Sequence, residues 1–332
     1  MIPLFKVFMA ETAKEAVGEV LDSGFIGQGP KVESFEFELK KLLESDYVAT
    51  TNAATSAEHL ALHLMKGNGV DEGDEVLTTP LTCTATNWPI LANNLKIKWV
   101  DVDEQNLNMD LDDLERKISP TTKVIFVVHW GGYPVDLDRI KNIADKGKPI
   151  GSHGNFCTFS FQAIKHMTTG DGGLLVSPNY DFYLRSKLLR WYGIDRDNNK
   201  KDFRCEADIA EWGFKFHMND IAAAIGIENL KHINTVVGTH KGNARFYDEE
   251  LAGVEGIQLL TRKPDHQSSF WIYSFLVDRK DDFMNHMKKC DIMVSQVHER
   301  NDIHSCVKEF KSHLPSLDKI TPRLISIPVG WW

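Results

Sequence analysis

The sequence predicts an α/β fold in which helices cover a mostly parallel sheet. Over the first half of the chain, short β-rich runs alternate with helical runs: Glu75–Thr79, Thr84–Asn93, Ile97–Asp101, Leu111–Ile118, Val124–His129 and Leu137–Lys146. Such alternation is typical of parallel sheets built from strand–helix units. The length of 332 residues also exceeds the size, about 250–300 residues, at which a single core usually stops growing. We therefore expect a large α/β domain and a smaller second domain.

The second half of the chain contains the predicted boundary between these domains. A helical pattern from Asp220 to Leu251 predicts one long helix between two lobes. Strand-like Trp271–Asp278, helical Asp281–Cys290 and strand-like Ile292–Val297 then predict a small α+β unit. We place the large domain at residues 1–240 and the small C-terminal domain at residues 241–332.

The composition excludes several classes of partner and site. The 38 lysines and arginines are outnumbered by 47 aspartates and glutamates, and the net charge of −9 disfavours nucleic acid or an anionic membrane as a partner. The five cysteines are odd in number and share no close spacing, so they predict neither a disulfide framework nor a zinc site. No apolar run has the length of a signal-peptide core or a membrane span. We expect a cytoplasmic protein without a resident metal.

The most informative segment runs from Phe159 to Gly173 and contains a single lysine, Lys165. A short apolar strand precedes this lysine, and a polar Gly-rich turn, Thr169–Gly173, follows it. Desolvation lowers the pKa of such an amine and lets it condense with an aldehyde. Ser160 lies just upstream, where its hydroxyl is available to bind phosphate. A lone lysine after a strand is more often a surface residue, so the prediction depends on these neighbours.

Two strand-to-helix junctions contain further residues that are candidates for binding a ligand. Thr51–Leu62 is a polar turn of small residues that runs into an amphipathic helix. Its backbone N–H groups and the hydroxyls of Thr55 and Ser56 predict a phosphate-binding turn, although an ordinary helix cap accounts for the same residues. Pro80–Trp88 is a second junction, and both are expected to face one pocket at the carboxyl ends of the strands. Within it we expect Cys83 to be a small, buried and unreactive side chain.

The strand–helix alternation is interrupted at one place. The helix Leu137–Lys146 should lead into another parallel strand, yet Gly147–Asn155 contains no apolar run. We therefore predict that a strand is absent from the middle of the sheet. Further along, Trp212–Asp220 alternates aromatic and basic residues before the long predicted helix, which we expect Asn219 or Asp220 to cap.

Taken in order, these segments resemble the sugar aminotransferases of the DegT/DnrJ/EryC1/StrS family, a branch of the fold-type-I enzymes that use pyridoxal 5′-phosphate. The resemblance spans nearly the whole chain and rests on Gly24–Val32, Asn52–Leu62, Thr82–Thr86, Val100–Asp103, Val128–Gly132, Phe159–Gly173, Leu189–Gly193 and Phe214–Asp220. It implies an aspartate-aminotransferase-like fold, pyridoxal phosphate as cofactor and a homodimer with shared active sites. It also implies glutamate as amino donor and a nucleotide-linked keto-deoxysugar as acceptor, in surface polysaccharide or deoxysugar biosynthesis.

The resemblance also implies roles for individual residues. Lys165 matches the lysine that bonds covalently to the cofactor, and Ser160 matches a phosphate-binding hydroxyl. Thr55 and Ser56 match the turn that cradles the same phosphate.

Two more positions match the family with a changed residue. Cys83 falls where the family often has an aromatic residue over the cofactor ring, so ring contact is expected to be weaker here. Lys215 falls where many members place an asparagine that reaches the phosphate of the neighbouring subunit, and a lysine can act there as a point charge.

The chain departs from the family pattern in two places. Similar members carry, between the equivalents of Lys146 and Gly147, a strand whose aspartate pairs with the pyridine nitrogen of the cofactor, and that segment is missing here. Without the aspartate, the electron sink of the cofactor loses its main electrostatic support. The sequence also stops at Trp332, where members usually continue through another helix.

Three functions therefore stay open from the sequence. The first is transamination of a nucleotide-linked keto-sugar. The second is a catalytically impaired homologue that keeps the fold but lacks the pyridine-binding aspartate. The third is sugar 3-dehydration, which is disfavoured because the family members that catalyse it carry histidine in place of the lysine, whereas this chain has Lys165.

Overall fold

A computed structural model describes residues 1–147, 155–196, 208–264 and 266–332. The helices of these ranges are α1 Ala13–Ser23, α2 Pro30–Leu43, α3 Ala54–Met65, α4 Thr84–Ala92, α5 Leu111–Lys117, α6 Leu137–Gly147, α7 Tyr180–Leu189, α8 Asp220–Leu230, α9 Ile233–Glu250, α10 Lys280–Lys289 and α11 Pro315–Ile320. The strands are β1 Val48–Thr51, β2 Glu75–Thr78, β3 Lys96–Trp99, β4 Thr122–Ile125, β5 Cys157–Ser160, β6 Gly173–Val176, β7 Ile257–Leu259, β8 Tyr273–Val277 and β9 Leu324–Ile327. Among these helices, none combines the length and the apolar character that crossing a bilayer requires.

The chain divides into two compact units, and neither is continuous in sequence. The lysine unit, named for Lys165, comprises Val7–Gly69 and Ser152–Ile233. The second unit comprises Met1–Lys6, Val70–Gly151 and Asn234–Trp332. The domain boundary at residue 240 stays a prediction.

The lysine unit is built on a three-stranded antiparallel sheet in the order β1–β6–β5. Thr51 and Ser160, the last residues of β1 and β5, both pair with Gly173, the first residue of β6. The helix α3 begins directly against Gly173, where a Cβ atom would lie 2.4 Å from the backbone of Ala53 and Ala54. Only glycine allows the backbone to approach so closely. The ends of β1 and β5 and the start of α3 therefore meet around one residue.

Helices cover both faces of this sheet. Leu174 and Leu175 are neighbours on β6, so their side chains point to opposite faces. Leu174 packs in an apolar cluster with Phe35 of α2 and Ala223 of α8. Leu175 packs in a second cluster with Leu60 of α3 and residues of α7. The sheet is thus the middle layer of three.

A buried ion pair between Arg190 and Glu36 ties several of these elements together. Arg190 is 1% exposed and Glu36 is 8% exposed. Glu36 Oε1 accepts hydrogen bonds from Arg190 Nη1 and, at 2.8 Å each, from the N–H and hydroxyl of Thr50. Arg190 Nη1 also donates to the carbonyl of Thr50, and the carbonyl of Arg190 accepts from the N–H groups of Phe216 and His217. The pair therefore links α2, β1, the end of α7 and the segment before α8.

The second unit contains two sheets. One is a three-stranded parallel sheet in the order β3–β2–β4, and its strands alternate with α4, α5 and α6 along the chain. This confirms the strand–helix alternation that the sequence predicts. The other is an antiparallel sheet in the order β7–β8–β9, which packs with Ala244 of α9 around fully buried Tyr273 and Ile325.

The predicted gap in the sheet falls on residues that lie almost entirely outside the described ranges, so the absence of a strand there stays a prediction. The helix α6 ends at Gly147, and the next strand within the described ranges is β5; residues 148–154, which the prediction also concerns, lie outside them. In those ranges, β4 and β5 are each the edge strand of their own sheet. The strand β1 is buried along its whole length, whereas β5 alternates exposed and half-buried side chains. The burial of β5 is thus that of an edge strand.

The prediction of one long helix over Asp220–Leu251 is wrong. The helix α8 ends at Leu230, and α9 begins at Ile233. The reason lies in Asn229, which is 1% exposed. Its side chain accepts a hydrogen bond from the Ala10 N–H and donates to the Thr168 carbonyl, both at 2.8 Å. These long-range contacts hold the end of α8 while the chain turns into a new helix.

The prediction of a strand over Ile292–Val297 is also wrong. Only isolated bridges occur there, between Ile292 and Ile2 and between Ser295 and Ser326. Val297 has a φ of 72°, which a β-branched residue adopts rarely and which interrupts an extended run. An apolar sequence pattern does not reveal this backbone constraint.

We expect the substitution Glu36→Gln to lower the free energy of unfolding by about 3–5 kcal/mol, because it leaves the buried Arg190 charge without a counter-ion. The control is Glu38→Gln on the same helix, which removes an exposed pair with Lys41 and should cost less than about 1 kcal/mol. Urea unfolding followed by circular dichroism measures both values. Similar losses in the two variants would contradict the assignment of a structural role to the buried pair.

Candidate active site

Lys165 lies in the loop after β5, and hydrogen bonds hold the backbone of this loop. The N–H of Lys165 donates to the Gln162 carbonyl at 2.9 Å. The Thr168 hydroxyl and the Thr169 N–H both donate to the Phe161 carbonyl, at 2.9 and 3.0 Å. The side chain of Lys165 is half-buried. The loop therefore presents the predicted amine from a fixed backbone, at the end of β5.

The predicted phosphate-binding turn is the N-terminus of α3. Its N-cap residue is Ala53, which has extended backbone angles and no side chain to cap the first-turn N–H groups. Thr55 and Ser56 lie in that first turn, both half-buried. In the part of the chain that the structure describes, neither hydroxyl makes a hydrogen bond. Uncapped N–H groups and two spare hydroxyls at the positive end of a helix form a binding site for an anion.

Strand pairing brings Ser160 to the same place. Ser160 pairs with Gly173, and Gly173 lies against the backbone of Ala53 and Ala54 at the start of α3. The structure thus brings together Ser160, Thr55 and Ser56, which the sequence predicted separately. All three are hydroxyl residues, which donate hydrogen bonds to phosphate oxygens.

The segment that carries Lys215 runs beside the end of β1. Asn52 donates from its backbone N–H to the Phe216 carbonyl at 2.7 Å and from its side chain to the Lys215 carbonyl at 3.1 Å. Thr51 forms an isolated bridge with His217. The Lys215 side chain is exposed, so its predicted contact with a phosphate of the neighbouring subunit stays a prediction.

Positive charge accumulates around this segment despite the net charge of the chain. Burial, with a smaller contribution from the charges of Arg190, Lys215 and Arg196, lowers the pKa of His217 to about 4. His217 is therefore neutral at physiological pH, and its ring lies against Trp191 with a centroid distance of 3.5 Å. Because Arg190 is paired with Glu36, the positive field beside β1 comes from Lys215 and Arg196, and such a field favours an anionic ligand.

Glu58 is a residue of this region that the sequence reasoning missed. It lies on the inner side of α3 and is 9% exposed. Burial raises the pKa of Glu58 from 4.5 to about 8, and the positive charge of Lys165 offsets part of that rise. One signal was present in the sequence: a carboxyl between Ala57 and Leu60 interrupts the apolar side of an amphipathic helix.

The expectation that Cys83 is buried is wrong, because this residue is exposed. It belongs to the second unit, where it is the N-cap residue of α4 and has extended backbone angles. The side chain of this N-cap residue faces outward where the loop turns into the helix. The prediction of burial used only the size and polarity of cysteine, which do not indicate this position. The contact between Cys83 and a cofactor ring stays a prediction.

The structure assigns the two polar residues before α8 to different tasks. The Asn219 side chain accepts from the Ala222 N–H at 2.9 Å, which confirms Asn219 as the predicted N-cap. Asp220 is 2% exposed and accepts instead from the N–H groups of Gly29, Lys31 and Val32. It therefore fixes the start of α2 and the glycine-rich segment that precedes it.

A sequence model of the DegT/DnrJ/EryC1/StrS aminotransferase family matches this chain in two parts, over residues 8–147 and 145–331. Together the two parts cover nearly the whole sequence. They meet at residues 145–147, which is the place where the sequence predicts a missing segment.

Two solved structures are similar over the full chain. AtS13 from Actinomadura melliaura is 48% identical with a TM-score of 0.94, and the match covers 100% of this chain and 94% of that one. The sugar aminotransferase CalS13 from Micromonospora echinospora is 43% identical with a TM-score of 0.94, over 100% of this chain and 95% of that one. These likenesses confirm the predicted fold class, an α/β fold of the aspartate-aminotransferase type.

Two relatives found by sequence are also similar to this chain over most of its length. The uncharacterized protein MJ1066 of Methanocaldococcus jannaschii is 30% identical over 99% of this chain and 92% of its own length. A UDP-4-amino-4-deoxy-L-arabinose--oxoglutarate aminotransferase of Shewanella sediminis is 29% identical over 88% of this chain and 81% of its own length.

We expect the stability of the cofactor-free protein to fall as the pH rises from 4.5 to 8, because of Glu58. The folded pKa lies above the unfolded one, so across this window the folded state keeps a proton that the unfolded state releases. Glu58→Gln should remove this dependence, which is at most about 1.4 kcal/mol for each pH unit. Urea unfolding at several pH values, with Glu33→Gln as an exposed control, measures the effect. Parallel pH profiles for wild type and Glu58→Gln would contradict it.

Proposed function

This chain belongs to the DegT/DnrJ/EryC1/StrS aminotransferase family, and we propose that it transfers an amino group from glutamate to a keto-deoxysugar carried on a nucleotide. As a family member it is a sugar aminotransferase with pyridoxal 5′-phosphate as its cofactor. The observation that carries the proposal is the gathering, within one compact unit, of the Lys165 amine, an uncapped helix N-terminus and the Ser160 hydroxyl.

The residues of the lysine unit fit this cofactor. We assign its phosphate to the first-turn N–H groups of α3 and to the hydroxyls of Thr55, Ser56 and Ser160, since this donor set suits a dianion. We assign its aldehyde to Lys165, the amine held by the loop after β5. When bound, pyridoxal phosphate supplies the electron sink for the reaction.

We assign a second task to the Lys165 side chain. Whenever it is not bonded to the aldehyde, the Nζ of Lys165 would be a free amine that can take up and release a proton. A general base must lie within hydrogen-bonding reach of the proton that it moves. We therefore assign to Nζ the task of holding and moving the proton that the amino donor gives up.

Two observations support the nucleotide-linked acceptor and the glutamate donor. The Shewanella relative is named as an aminotransferase for the pair UDP-4-amino-4-deoxy-L-arabinose and oxoglutarate, and oxoglutarate is the keto acid that glutamate becomes when it gives up its amino group. The cations around His217 favour anionic groups, and a nucleotide diphosphate and a dicarboxylate both carry negative charge.

We also propose a homodimer with shared active sites, located in the cytoplasm. Phe25 and Ile26 are 80% and 50% exposed, although they lie in the glycine-rich segment whose end Asp220 fixes. Large apolar side chains that project from a fixed segment mark a surface that a partner covers. Lys215, exposed beside the end of β1, is the residue that would reach the second subunit.

A second candidate, a homologue with impaired turnover, is favoured by one observation. The two parts of the family match meet where the segment with the pyridine-binding aspartate is expected. An ionic hydrogen bond of this kind is worth about 1.5–3 kcal/mol, and each 1.4 kcal/mol in a barrier is about tenfold in rate. A protein of this kind would bind the cofactor and turn over slowly.

We expect the wild-type protein to give a visible absorption band with pyridoxal phosphate and to aminate a nucleotide-linked keto-deoxysugar when glutamate is added. Lys165→Ala should abolish both, because the amine that holds the aldehyde is gone. Lys231→Ala, which removes an exposed lysine of the same unit, is the control. Spectrophotometry and mass spectrometry of the sugar give the readouts. Absence of the band from the wild type would refute the proposal, and a band without product would favour the impaired homologue.

We expect Thr55→Val to weaken cofactor binding by about 10–100-fold, because it removes a hydroxyl hydrogen bond to a charged phosphate while it keeps the side-chain shape. Thr239→Val is the matched control, since that hydroxyl bonds only to the Thr235 carbonyl of its own helix in the described structure. Titration of the visible band measures the dissociation constant. Equal affinities of the Thr55→Val variant and the wild type would place the phosphate elsewhere.

A further inference from the structure

An open groove of about 310 Å³ lies in the lysine unit, beside the start of α8. Met218 is its buried member, at 1% exposed, and Ile221 and Ala222 of α8 are half-buried. Its exposed polar members are Asn52, Asp171 and Asn219. The groove therefore combines an apolar part with a polar edge, which is the make-up of a protein surface that receives an apolar side chain from a partner.

Two large apolar side chains, Phe25 and Ile26, lie next to this groove and are 80% and 50% exposed. The carbonyl of Gly27, the next residue, accepts a hydrogen bond from the Asp220 N–H at 2.8 Å. Asp220 itself is flanked in sequence by residues that line the groove. The apolar side chains and the groove are thus neighbours on one surface of the unit. Exposed apolar side chains beside a groove mark an interaction site.

Opposite charges accompany these features on the same surface. Lys215 and Asp171 are both exposed, and neither makes an ion pair with any residue that the structure describes. Asp171 lines the groove. Asn52, which also lines it, donates from its side chain to the Lys215 carbonyl at 3.1 Å, so Lys215 lies beside the groove. Within the described chain, this surface therefore offers one unpaired cation and one unpaired anion.

A surface with these four features is complementary to a second copy of itself. A two-fold dimer buries the same patch of both protomers, so the patch has to match itself after rotation. Here an apolar projection can meet a groove, and a cation can meet an anion. Building on the proposed homodimer, we infer that Phe25 of each protomer enters the groove of the other, and that Lys215 of each protomer pairs with the partner's Asp171.

The chemistry of the groove favours a second copy over a small anionic ligand. The exposed carboxylate of Asp171 repels anions, so a nucleotide diphosphate or a dicarboxylate is disfavoured here. The groove suits an occupant that carries an apolar side chain and a cation, and this chain presents both in Phe25 and Lys215. Asn52 also directly precedes Ala53, the N-cap of α3. A protomer on this surface would therefore reach the proposed phosphate-binding turn of its partner.

The first test reverses the charges. We expect Asp171→Lys and Lys215→Asp each to raise the dissociation constant of the dimer about tenfold, because each variant sets like charges against each other. The double variant should return to within about threefold of the wild type, since opposite charges face each other again. Sedimentation velocity of the full-length protein at low salt, over a range of concentrations, measures the constants. A double variant as weak as the single ones would overturn the pairing.

The second test removes the apolar side chain. Phe25→Ser should raise the dissociation constant about 100-fold, which is tenfold for each of the two symmetry-related contacts that it removes. Phe37→Ser is the control: this ring on α2 is 58% exposed, but Lys41 of the same helix covers it, with Nζ 4.0 Å from the ring centroid. The control should leave the dimer unchanged. The same effect in both variants would overturn the role of Phe25.

The possible results separate this surface from the proposed homodimer and from the proposed reaction. A wild type that sediments as a monomer would refute the homodimer, and this surface with it, whatever the cofactor band shows. A dimeric wild type whose dissociation constant is unchanged by Phe25→Ser and by both charge reversals would overturn the surface while the homodimer stands. Circular dichroism checks the folding of each variant. If Phe25→Ser does not fold, the charge reversals decide, because Asp171 and Lys215 are exposed.

Discussion

The buried ion pair between Arg190 and Glu36 is the constraint on which the candidate site depends. Through Thr50 it holds the end of β1, from which the chain enters α3. Through the Arg190 carbonyl it holds the backbone of Phe216 and His217. The proposed phosphate-binding turn and the segment with Lys215 are therefore both positioned by one buried ion pair. A buried pair of this kind contributes little net stability, so its value lies in the geometry that it imposes.

Some polar groups of the candidate site have hydrogen-bond partners within the protein, and others do not. The first kind has a structural role, and the second kind is available to a ligand. Asp220 and Asn229 are buried, and each is satisfied by backbone groups that it positions. The hydroxyls of Thr55 and Ser56 at the start of α3 have no such partner in the described chain. Polar groups without hydrogen-bond partners do not add to the stability of the folded protein. An anionic ligand bound at this helix N-terminus would supply the missing partners.

Much of the fold and part of the site could be predicted from the sequence, because both rest on local signals. The strand–helix alternation, the Asn219 cap and the junction at Thr55 are encoded by neighbouring residues, and the structure confirms them. The break before Ile233 and the exposure of Cys83 depend on contacts or backbone angles that no local pattern contains. The desolvation of Glu58 likewise comes from the packing of α3 on its sheet.

The edge position of β5 has a consequence for the behaviour of the protein in concentrated solution. An open strand edge offers unpaired N–H and carbonyl groups to any extended segment that meets it. Natural edges are often protected by lysine or proline, but Cys157–Ser160 contains neither, and Phe159 is 42% exposed. Among the described residues no strand pairs with the outer edge of β5, so self-association through intermolecular strand pairing should begin here, next to the exposed thiol of Cys157. Preparations of the protein should stay dispersed longest when dilute and under reducing conditions.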